Sequence, residues 1–222
     1  MRQLVYKDLF FFYKMCIGYF VIPIVLFLLD IDDGQIAFMM SCLFIPMFSF
    51  ETIKFFDQKN KSEQILNSLP LERKDIIVAK YISCAIFIVI GIMTTTAVVL
   101  IGRGISSIGD SSIYHPNLYI DVPWYIVIRS MVLAVLYFAI CIPIEYGRKK
   151  KGKGIASVMS ALAAAFSVGI SFWIVDGSRE PFGHSILNVS HIAILITGGV
   201  ILVSIYILSM VFTIKLYEER DL

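Results

Sequence analysis

A chain of 222 residues that is 58% hydrophobic and only 16% charged, with a mean hydropathy of +0.82, has more apolar surface than a water-soluble domain of that length can bury. The bilayer is the solvent that accommodates the excess. The net charge is only +2 and the cations are segregated along the chain, which excludes a globally basic surface for nucleic acid. Cys16, Cys42, Cys84 and Cys141 all lie in apolar runs without CxxC or metal-ligand spacing, and read as small core hydrophobes.

Residues 3–14 open the chain with polar Gln3, Lys7, Asp8 and Lys14 among bulky apolar side chains, the pattern of a helix start. Six apolar runs follow, at 15–29, 36–50, 82–101, 124–144, 155–175 and 192–214, each bounded by charges or turn residues. The last four reach about 20 residues and cross a ~30 Å hydrocarbon core outright. The first two are shorter, and must borrow flanking turns or sit upright in a locally thinned bilayer; the alternative is one re-entrant hairpin. The first run ends in Asp30-Ile31-Asp32-Asp33, with no small-residue site for cleavage of a signal peptide. The connections are too short for an independent soluble core, so the expectation is one all-α membrane domain over 1–222 with six transmembrane helices.

Orientation follows from lysine and arginine, because cationic loops stay on the cytoplasmic side during insertion. With six crossings, the N-terminus, 51–81, 145–153 and the C-terminal tail share one side and hold sixteen cations, against only Arg103 and Arg179 on the other. Both termini are therefore expected in the cytoplasm, in the cell membrane. Trp124, Tyr125 and Trp173 then fall at the outer interface, and Tyr81, Tyr146 and Tyr217 at the inner one.

Enzymatic motifs fail on inspection. The run from Gly147 to Gly154 matches the first seven positions of a phosphate-binding loop, but the eighth is glycine where a hydroxyl should reach magnesium, and the run joins two membrane helices. It reads as a cationic anchor near anionic head groups. His115, His184 and His191 form no ligand cluster, and Asn188-Val189-Ser190 is a three-residue sequon match. No catalytic or metal site is expected on this chain.

The connection between the second and third runs has its own logic. Ile65, Leu66 and Leu69 share a helical face on a short segment that Pro70 stops. The segment is expected to form a short amphipathic helix across the membrane surface, and physics alone leaves a protein-docking knob and a lipid-surface helix both open. The stretch Ser68–Tyr81, SLPLERKDIIVAKY, resembles the segment that follows the second membrane helix in ABC-2-type transporter permeases, with matches at Ser68, Leu69, Pro70, Arg73, Ile77, Val78, Ala79, Lys80 and Tyr81. Glu72 departs from the pattern, where a small or hydroxyl residue commonly precedes the arginine. The resemblance implies a coupling helix seated in a groove of a separate ATPase, with Ile65, Leu66, Ser68, Leu69 and Arg73 at or beside the contact. It also implies that two permeases, identical or homologous, pair above two ATPases, with ATP and magnesium held by those partners and no cofactor on this chain. The opening 3–14 segment resembles the interfacial elbow helix of the same family.

Ser157, Ala161, Ala165 and Gly169 recur every fourth residue in the fifth run, a small-residue stripe that lets another backbone approach closely. Packing within the chain and packing between subunits both fit, and the resemblance favours the second. Arg129 is the ionised side chain set well inside a predicted span. It either snorkels to the outer head groups or faces a cavity on the substrate path. The function this implies is export by an ATP-binding-cassette transporter, and small permeases of this shape resemble those that export amphipathic peptides such as phenol-soluble modulins or protect against antimicrobial peptides. The competing reading is a membrane sensor or assembly scaffold that transports nothing.

Overall fold

The computed structural model describes residues 2–14, 16–28, 34–60, 72–108, 124–146 and 189–219. Helices account for nearly all of them: α1 (Arg2–Lys14), α2 (Cys16–Leu28), α3 (Gly34–Lys59), α4 (Arg73–Ile108), α5 (Trp124–Tyr146) and α6 (Val189–Glu218). No strand occurs among the described residues. Among the described residues four stretches are long and apolar enough to cross a membrane, namely Gly34–Lys59, Arg73–Gly104, Ile126–Tyr146 and Gly199–Glu218. They correspond to the runs at 36–50, 82–101, 124–144 and 192–214. The run at 15–29 becomes α2, whose 13 residues extend about 20 Å, short of a ~30 Å core. The run at 155–175, with Ser157, Ala161, Ala165 and Gly169, lies outside the described residues.

Two helices are longer than their hydropathy suggests. The sequence assigns 51–81 to a connection, whereas α3 continues to Lys59 and α4 already begins at Arg73. Apolar windows stop at the first charges, but a helix does not stop if those charges find partners. Glu51 and Lys54 pair one turn apart at 3.4 Å, and Asp57 is held by lysines of two other helices. At the start of α4 the Asp75 amide donates to the Glu72 carbonyl at 2.9 Å, and Asp75 in the first turn suits the positive end of the helix dipole. The Glu72 side chain caps nothing; it is exposed and pairs with Lys74.

The chain folds as two compact units, Met1–Ala134 and Val135–Leu222. In the first, α3 and α4 pack along each other, α2 lies against both, and α1 lies against α4 and α3. Tyr19, Ile45, Ile53 and Phe87 form a buried cluster, with Leu9, Ile22 and Ile90 packed onto it, so that each of the first four helices contributes. The opposite face of α4 presents Ile82, Val89, Met93 and Leu100 outward. That stripe is apolar throughout, as a face turned to lipid must be.

Hydroxyls inside the bundle bond to their own helix. Ser41, Ser49, Ser83, Thr94, Thr95 and Ser130 each donate to the carbonyl four residues earlier, which satisfies a polar group where water is absent. Cys42 meets the hydroxyls of Thr95 and Ser130, uniting α3, α4 and the first turns of α5. In the second unit Tyr146 and Tyr217 pack edge to face, 6.1 Å between centroids, and Ser209 donates to the Ala139 carbonyl at 2.7 Å. Tyr81 and Tyr217 were expected in an interfacial belt, but they are fully buried; the ring of each packs inward.

A close approach joins α3 to α4 at Gly91. Pro46 has no amide hydrogen, so the helix bond to the Cys42 carbonyl is missing and the ring projects from α3. Gly91 receives it: a Cβ on Gly91 would stand 3.0 Å from Pro46 Cδ and 3.4 Å from the Cys42 oxygen. A proline ring cannot rotate away, so Gly91→Ala is expected to force α3 and α4 apart at a cost of about 1–3 kcal/mol. Thermal unfolding in detergent micelles checks this, with Gly104→Ala as control because nothing lies within 4 Å of the added methyl.

Candidate functional site

The site is built from four charges on three helices. On α1, Tyr6, Phe10 and Tyr13 share one face and are 70%, 48% and 77% exposed, while Asp8 on another face is 1% exposed. This inverts the arrangement of a helix lying in water: aromatic rings point away from the protein and the carboxylate points into it. Such a helix suits the boundary between acyl chains and head groups, and the buried carboxylate then needs a cation from its own protein.

Lys80, one helical turn beyond Ile76 and Ile77 on the buried face of α4, supplies that cation. Its ammonium donates to both oxygens of Asp8 at 3.0 Å and 3.0 Å and to Asp57 Oδ2 at 2.8 Å. Three protons meet three carboxylate oxygens, so the ammonium is saturated. The fourth member, Lys7, donates to Asp57 Oδ1 at 2.6 Å and stands 3.7 Å from Asp8 Oδ1. Exposure falls from 29% at the Lys7 side chain through 18% at Asp57 and 8% at Lys80 to 2% at Asp8. The quartet is formally neutral, two cations against two anions, which lets it leave water without an uncompensated charge.

Its place in the fold gives it meaning. Asp57 lies two residues before the end of α3 and Lys80 seven residues after the start of α4, so the quartet closes the base of the connection between those helices. Residues 61–71 of that connection, with Ile65, Leu66, Ser68 and Leu69, lie outside the described residues. Arg73 is described; it opens α4 and is half-buried. Arg129 is half-buried on α5, one residue before the buried Ser130. Sequence reasoning counted Lys7 and Lys80 as positive-inside charges, Lys80 also as a match to the family stretch, placed Asp57 in a connection, and took Lys7 and Asp8 as polar residues among the apolar side chains of the opening segment. An aspartate among phenylalanines was the available signal, but its partner lies 72 residues away and no local pattern supplies that.

These helices and their apolar outward faces define a multi-pass membrane protein. Residues 3–218 match the model of the ABC-2 family transporter proteins, and the chain belongs to that family. Searches of curated proteins and of solved structures returned no match.

Removing the central cation tests the quartet. Lys80→Met leaves two buried carboxylates facing each other and is expected to cost about 3–5 kcal/mol, read as a fall in unfolding temperature in micelles. Lys7→Met, at the exposed end, is expected to cost under about 1 kcal/mol.

Proposed function

We propose that this chain is the permease subunit of an ABC exporter, which passes an amphipathic cargo such as a peptide outward while a separate subunit hydrolyses ATP with magnesium. Family membership over residues 3–218 is the observation that carries the reading. ABC-2 permeases are the membrane component of such transporters, and this chain's connections leave no length for a nucleotide-binding domain. Two copies, or this chain and a homologue, pair above two ATPases.

The cation asymmetry of the sequence supports cytoplasmic termini and places the 60–72 connection in the cytoplasm, where it serves as the coupling segment with Leu69 toward the ATPase. α1 then serves as the elbow, lying in the inner interface on its aromatic face. Arg129 lines the substrate path, its charge drawing carboxylates of the cargo, and the stripe through Ala165 joins the permeases.

Two experiments test this reading. Topology is checked by labelling with an impermeant maleimide: Ser111→Cys is expected to react in intact cells, and Lys151→Cys only after they are opened. The reverse order overturns the orientation. For coupling, the native chain is expected to co-purify with an ATPase and Leu69→Asp to lose it, because a carboxylate buried without a partner weakens docking by several kcal/mol, at least about a hundredfold in affinity. A sensor or scaffold would insert equally well but bring down no ATPase.

A further inference from the structure

We propose that Lys80 is a positioning residue that makes α1 move with the coupling segment, so that the ATPase stroke reaches the inner face of the membrane through the Asp8–Lys80–Asp57 contact. This rests on the permease reading above and adds to it a path for the motion.

The coupling segment has two anchors, the end of α3 at Lys59 and the start of α4 at Arg73. Asp57 and Lys80 stand on those anchors, about 3 Å and 10 Å along the helix axes from the segment. A displacement of the segment therefore reaches both side chains through continuous helix, the stiffest connection a chain offers. From there the ammonium bonds pass to Asp8 at 3.0 Å, and α1 is the third helix held. Lys80 and Asp57 are each bonded to both other helices, but Lys80 is the member that holds the buried Asp8 of α1, taking Asp57 from α3 with its third proton while standing on α4. Lys7 reinforces the same connection from α1 to α3 at 2.6 Å.

The geometry separates this role from ordinary packing. Leu9 also packs α1 onto the core cluster, but apolar contacts slide, whereas three short bonds from one ammonium fix direction as well as distance. The far side of α1 is aromatic and exposed, so lipid supplies its other surroundings and resists no particular direction. With Lys80 in place, α1 sweeps through the interface as part of the α3–α4 base. Without it, α1 keeps only the more exposed Lys7–Asp57 pair to the base and follows its motion less.

Spin labels report this directly. Tyr13→Cys on α1 and Phe55→Cys on α3 are both exposed positions, and are labelled singly in the full chain carrying Cys16→Ser, bound to its co-purified ATPase in phosphatidylethanolamine and phosphatidylglycerol vesicles. Accessibility to a water-soluble paramagnetic relaxant is compared with and without magnesium ATP and vanadate. The expected result is that both labels shift in the native sequence, that Lys80→Met reduces the shift at Tyr13 while the one at Phe55 persists in full, and that Lys80→Arg restores it. A purely stabilising Lys80 would lower the unfolding temperature and leave both shifts in place, which overturns the proposal. So does a native Tyr13 label that stays still while Phe55 moves. Failure of the unaltered chain to bind any ATPase sinks the permease reading itself, and this role falls with it; the two failures are distinct.

Discussion

An ammonium bonded to three carboxylate oxygens of two other helices holds the first unit together at the end where α3 and α4 approach their connection. Lys80 can be buried because its charge is matched, and it is matched because α1 and α3 each bring an aspartate to it. Remove that constraint and there is little reason for a helix as short as α1 to take a fixed course, since an isolated helix of 13 residues is marginal by itself. The inward carboxylate also fixes which side of α1 is left for lipid, and the aromatic rings occupy it.

The same constraint explains how far α3 and α4 run. Ion pairs that would contribute little in water keep the ends of these helices ordered where solvent is scarce, and the connection between them shrinks to residues 60–72. Elsewhere in the first unit the buried hydroxyls meet their polar needs locally. Serine and threonine hydroxyls turn back on their own carbonyls, so helices can pack closely without importing water. The two modes divide along the helix axis: self-satisfied hydroxyls through the apolar body, crossed ion pairs at the base.

Much of this was legible beforehand. Apolar runs located four spanning helices because burial in lipid requires a long unbroken stretch, and that requirement is written in composition. The motif SLPLERKDIIVAKY pointed to the family that the chain proves to belong to. Apolar runs left the helix ends open because hydropathy treats every charge as a boundary, whereas Glu51, Lys54, Asp57 and Lys80 are charges that helices carry in pairs. The quartet stayed hidden for a related reason. Each member has an ordinary local explanation, and only the fold brings residue 8 beside residue 80. Tyr81 misled in the same way: an aromatic at the right depth can face lipid or core, and periodicity on α4 alone does not choose.

The nesting of Pro46 against Gly91 has a consequence for how this sequence can change over evolutionary time. The ring and the missing side chain are two halves of one shape, contributed by helices that meet only in the folded protein. A larger residue at 91 becomes tolerable once the ring at 46 is gone, and a residue other than proline at 46 leaves a notch that a methyl at 91 would fill. Selection therefore acts on the pair. Among related permeases that keep this helix packing, the two positions should drift together, small opposite proline and larger opposite its absence, because a Cβ at 91 would stand only 3.0 Å from Pro46 Cδ.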